Sequence, residues 1–116
     1  MKLLFIMTAA PHGSVAAQEG LDALLMGSAF TECAVLFSGA GLLQLLNSQE
    51  PADLAMKDFA RGFAALRDYG VNPIYVRSTD LSRYGLSVSD LIIEVETLDD
   101  NALPALLASY DKVVNF

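Results

Sequence analysis

Few residues in this chain could carry chemistry: Cys33 as a thiolate nucleophile, His12 as a general base or ligand, and Thr8 or Ser14 as hydroxyls near that histidine. Each needs the right company. A thiol reacts through its thiolate, which an exposed, electropositive setting favours. Cys33 instead follows Glu32 and opens the apolar run Cys33-Ala34-Val35-Leu36-Phe37. Burial and the adjacent carboxylate both predict a raised pKa and a core role. His12 is the only histidine. With no second His and no nearby Cys it has too few companions for a metal site. As a base it lacks an orienting acid, so a structural or interface hydrogen bond is the reading its surroundings support. Thr8, His12 and Ser14 could hold a phosphate with the amides of a helix N-terminus, as a flavin- or nucleotide-binding module would. Turn and cap chemistry explain Gly13 and Ser14 without any ligand. Gly39-Ala40-Gly41 begins a G-x-G, but Leu42, Leu43 and Gln44 follow, so it reads as a turn and not a dinucleotide loop. No catalytic, cofactor-binding or metal-binding residue is assigned on these grounds.

The elements that must position these residues follow one grammar. Leu3-Leu4-Phe5-Ile6-Met7 is a continuous apolar run, suited to a strand buried on both faces. Pro11 and Gly13 break the pattern, Ser14 can cap a helix, and positions 17, 21, 24, 25 and 28 mark that helix's apolar face. Residues 33–37 predict a second strand, ending in a turn over 38–41. Leu42, Leu43, Leu45 and Leu46 then surround a single polar Gln44. Such a segment is either deep core or an interface plug, and these four leucines with His12 are the interface candidates. Pro51 can open a helix whose stripe is Leu54, Phe59, Phe63 and Leu66, with Gly70 as its stop. Residues 71–76 predict the third strand, 91–95 the fourth and 112–116 the fifth. A polar turn of helix runs to Tyr84 and Gly85, and Asp99, Asp100 and Asn101 can cap a last helix built on Leu103, Leu106, Leu107 and Tyr110. Short apolar strands alternating with helices predict an α/β fold: one layered domain over residues 1–116, with a five-stranded, mainly parallel sheet flanked by helices. In such sheets function gathers at the carboxyl ends of the strands, here the loops 9–13, 38–41, 77–80 and 97–100.

Composition narrows the partners. The chain has 116 residues, enough for one core. It is 53% hydrophobic and only 18% charged, so part of its apolar surface is expected to be covered by another subunit, a monomer with a very apolar core being the alternative. A net charge of −7 with scattered basic residues argues against gripping nucleic acid or an anionic membrane. One cysteine cannot form an internal disulfide. Lys2, the apolar stretch and Val15-Ala16-Ala17 have the outline of a secretory signal, but Pro11-His12-Gly13 interrupts the apolar region where a signal's would continue. The expected location is therefore the cytoplasm. No run approaches the ~18 apolar residues of a membrane span.

Three blocks go beyond periodicity. Ala10-Pro11-His12-Gly13, then Glu19-Gly20-Leu21-Asp22-Ala23-Leu24-Leu25, then Gly41-Leu42-Leu43-Gln44-Leu45-Leu46 resemble the TusC/DsrF branch of the DsrE/DsrF-like sulfur-relay family, on its TusC side. The ending Tyr110-Asp111-Lys112-Val113-Val114-Asn115-Phe116 is similar to that branch as well. The resemblance implies a subunit without its own catalysis, joined to TusB-like and TusD-like subunits in a heterohexamer. It implies relay of persulfide sulfur to a TusE-like protein, for 2-thiolation of the tRNA wobble uridine. In that family the TusD-type subunit carries its cysteine just after the third strand, and Val76-Arg77-Ser78 has none there. Ala40 also stands where the branch often has Asp. A DsrF-like subunit of a sulfur-oxidation complex is the alternative within the family.

Overall fold

The structure, a computed structural model, describes residues 1–8, 16–45 and 66–116, the side chains of residues 16–18 excepted. The elements in chain order are β1 (Lys2–Met7), α1 (Ala16–Ser28), β2 (Glu32–Phe37), a 3-10 segment (Gly39–Leu45), β3 (Ile74–Arg77) and α2 (Ser78–Arg83). A short 3-10 turn (Val88–Asp90), β4 (Glu96–Leu98), another 3-10 turn (Asp100–Ala102), α3 (Leu103–Ala108) and β5 (Lys112–Asn115) follow. The expected helix from Pro51 with Leu54, Phe59 and Phe63, and the residues Leu46, His12 and Ser14, lie outside the described residues.

The five strands form one sheet in the order β4-β3-β2-β1-β5, and every pairing is parallel. The chain steps outward from β1 to β4, then returns to the far side of β1 as β5. Asp111 N donates to Lys2 O at 2.9 Å and Phe116 N to Ile6 O at 2.8 Å, so β5 is secured at both ends. The Phe116 ring stacks on Phe5 with 6.2 Å between centroids.

Alternation along the strands splits the core in two. Phe5, Met7, Cys33, Val35, Phe37, Ile74 and Val76 point to one face, where Leu21 and Leu24 of α1, Leu42, Leu45, Leu66, Val71, Leu81 and Leu91 cover them. Leu4, Ala34, Leu36 and Leu98 point to the other, against half-buried Ile6, Tyr75, Leu103, Leu106, Leu107 and Tyr110. Leu42 and Leu45 are fully buried within this chain, so they are core side chains with no surface to offer a partner; Leu43 keeps some.

Two strands are shifted from the sequence expectation. The third begins at Ile74 and not at Val71, because Pro73 has no N–H for the ladder. There Asn72 N donates to Cys33 O and Val35 N to Pro73 O instead. The fourth is Glu96–Leu98, not residues 91–95. Leu91 packs into the core, Ile92 N donates to Leu45 O at 2.7 Å, and Arg67 Nη2 donates to Glu94 O at 2.9 Å. Tertiary contacts thus occupy the stretch whose composition reads as strand.

Candidate functional site at the carboxyl edge of the sheet

Three strand ends and the turns that follow them meet at this edge. β2 runs out into Ser38 and Gly39, β3 into Arg77, Ser78 and Thr79, and β4 into Asp99 and Asp100. Gly39 has φ +57°, which glycine adopts without strain. Its N–H donates to Asp80 Oδ2 at 2.8 Å, giving a nearly buried carboxylate a backbone partner. Gly41 is required for a different reason. A Cβ there would run into the Met7 carbonyl, which accepts from Ser38 N. Turn geometry and close packing thus account for both glycines of the G-x-G.

Arg77 centres the polar network. Its Nε and Nη2 donate to Asp100 Oδ1 at 3.0 and 2.8 Å, and its Nη1 to Ser38 Oγ at 3.3 Å. Thr79 Oγ1 donates to the same Asp100 oxygen at 3.2 Å, and Ser78 Oγ to Asp99 Oδ1 at 3.0 Å. The hydrogen bond from Arg77, reinforced by Thr79, holds the Asp100 carboxyl below its ordinary range. The same bond raises the Arg77 guanidinium above its own. Asp99 and Asp100 were expected to cap the last helix. No side-chain cap is formed there, because both carboxylates are turned toward β3 and its turn. At the neighbouring corner Thr8 N and Oγ1 both donate to Phe116 O, at 2.7 and 2.9 Å, which ties β1 to β5.

These contacts set what the edge can do. Its hydroxyls face carboxylates and a guanidinium, and neither a histidine nor a thiol stands among its described residues, so those residues assemble no nucleophile with a matched base. The arrangement makes a polar surface whose side chains are tied to one another. Cys33 lies at the opposite edge, near the start of β2, 2% exposed, and burial pushes its thiol pKa up. The structure therefore places the one cysteine in the core and away from the carboxyl edge. The sequence places the loops 77–80 and 97–100 at this edge, along with 9–13 and 38–41, but does not pair Arg77 with Asp100. The available signal was a lone cation in one loop and two acids in the other.

The DsrE/DsrF-like family model matches residues 1–116. A protein named TusC homolog from Vibrio parahaemolyticus is 36% identical, covering 99% of this chain and 98% of its own length. A protein named TusC from Shigella flexneri is 36% identical over the same shares. The crystal structure of the ychN protein from E. coli superposes with a TM-score of 0.79 over 99% of this chain and 98% of its own, at 21% identity, a likeness of fold. With one family model spanning every residue, and relatives matched nearly end to end, the chain belongs to the DsrE/DsrF-like family.

Proposed function

We propose that this chain is a non-catalytic subunit of a cytoplasmic, TusBCD-like sulfur-relay complex, through which persulfide sulfur moves toward 2-thiolation of the tRNA wobble uridine. The observation that carries the reading is the end-to-end likeness to relatives named TusC. The chemistry of transfer supports it. In each step a thiolate attacks the terminal sulfur of a persulfide; a new S–S bond forms, the old one breaks, and the donor leaves as a thiolate. A carrier must therefore expose a thiol to two partners in turn. Cys33 is buried with a raised pKa, and the turn after β3 holds Arg77, Ser78 and Thr79 where a TusD-type subunit has its cysteine. This subunit then contributes surfaces: the polar carboxyl edge and apolar area for TusB-like and TusD-like neighbours in a heterohexamer. A net charge of −7 suits a subunit that leaves tRNA to others.

Reconstitution with the neighbouring subunits and a labelled persulfide donor tests the proposal. Cys33→Ser should leave assembly and sulfur delivery unchanged. Loss of delivery with an unchanged circular dichroism spectrum and intact assembly would make Cys33 the carrier and end the scaffold reading.

A further inference from the structure

Among the described residues, β4 is the outermost strand on its side of the sheet and pairs with β3 alone. Its three residues continue an apolar, β-branched stretch, Ile92-Ile93-Glu94-Val95, that bends at Ile92 and Ile93 and joins no strand of the sheet. An open depression of about 630 Å³ lies beside it, lined by Arg67, Val88, Ile92, Ile93, Glu94 and Glu96 among others. Val88 is 49% exposed there. A sheet edge next to a depression that is part apolar and part acidic is a template for another extended chain.

Charge says which chain. Between Arg83 and Lys112 there is no basic residue, while Asp90, Glu94, Glu96, Asp99, Asp100 and Asp111 are all acidic. Arg67 reaches in to Glu94 at 3.1 Å and Arg77 to Asp100, but Glu94 and Glu96 remain exposed. Antiparallel pairing of two copies would oppose like charges across the new strand pair, which is unfavourable, and the net charge of −7 adds repulsion. A second copy is thus a poor occupant. A basic strand is a good one, steered by the same field.

We infer that the edge over residues 94–98 receives an extended segment of a partner protein alternating apolar and basic residues. It lies beside β4 as a sixth strand, its apolar side chains toward Val88, Ile92 and Ile93 and its Lys or Arg side chains toward Glu94 and Glu96. The inference is independent of the sulfur-relay reading. The same two glutamates would also guard a bare edge against chance pairing, and the experiment separates the two roles.

The full-length protein, labelled with ¹⁵N, is titrated with a synthetic peptide of alternating Lys and Val, and separately with its Glu and Val counterpart. The Lys peptide should slow amide exchange across residues 94–98, and the Glu peptide should not. The double variant Glu94→Lys, Glu96→Lys should weaken Lys-peptide binding about tenfold with the rest of the spectrum unchanged. An edge that is only guarded gives no binding. General attraction to an acidic chain gives shifts elsewhere and none at 94–98. Protection already present in the free protein and lost on dilution marks a second copy. Each of these three outcomes overturns the inference.

Discussion

On one side of the sheet Phe5, Met7, Val35, Phe37, Ile74 and Val76 are closed over by Leu24, Leu42, Leu45 and Leu66, all 4% exposed or less. On the other side Leu4, Ala34 and Leu36 are equally buried, but among the described residues the helix that lies over them is α3, six residues long, whose Leu103, Leu106 and Leu107 are only half-buried. Ile6 and Tyr75 keep solvent contact there, and Val113 is 38% exposed. The strands supply apolar residues to both faces, as expected for a parallel sheet. The first face finds its cover within the chain. The second has the thinner cover among the described residues, which is compatible with the proposed subunit role.

Disrupting the thick face should cost most. Gly41→Ala puts a Cβ into the Met7 carbonyl, backbone against backbone, with no flexible side chain to yield. The expected loss is about 4 kcal/mol or more, seen as failure to recover folded protein. Recovery of a normally stable Gly41→Ala protein would show that the β1 end and the 3-10 segment are not in the described contact.

The comparison itself is sharpened by a matched pair of leucines. Leu24→Ala empties a fully buried site against the thick-face core, and about 2–5 kcal/mol should be lost. Leu106→Ala removes a half-buried side chain from the thin cover, and about 1 kcal/mol is expected because much of its surface is already wet. Urea unfolding of the isolated chain measures both. Equal costs would mean that α3 is packed as tightly as α1. In a reconstituted complex the Leu106 variant should instead show weakened assembly if a neighbour covers this face.

What could be read in the sequence follows the same division. β1, α1 and β2 announce themselves because burial on the thick face, or pairing in the sheet centre, reinforces local pattern, whereas β5, an outer strand, is legible from its apolar pair Val113-Val114. Cys33 in the core was legible from its place in an apolar run. The displacement of β4 was not, since residues 91–95 satisfy a strand pattern while the core, Leu45 O and Arg67 claim them individually. Nor was the link from Arg77 to Asp100. They stand 23 residues apart, and only the parallel order of β3 and β4 brings their ends together. The pair of leucines Leu42 and Leu45 shows the limit most directly: an all-apolar short segment fits core and interface equally, and the choice is made by what the rest of the chain leaves uncovered.

The smallest effect expected is a titration on the thin face. Burial under α3, then a hydrogen bond and charge coupling with Tyr75 and the charge of Glu96, push the Tyr110 phenol up to about 12 from an ordinary 10. The folded value lies above the unfolded one, so the neutral phenol favours the folded state. Its contribution is complete below about pH 10 and is lost as pH rises through about 12. Tyrosinate absorbance should therefore show a late step from Tyr110, and Tyr110→Phe should remove it. A titration that Tyr110→Phe leaves without any change at its high-pH end would place Tyr110 in open solvent and the cover of this face would be thinner still. A further upward shift on adding the neighbouring subunits would locate one of them over α3, because only additional desolvation or a new anion beside the ring can raise the phenol again.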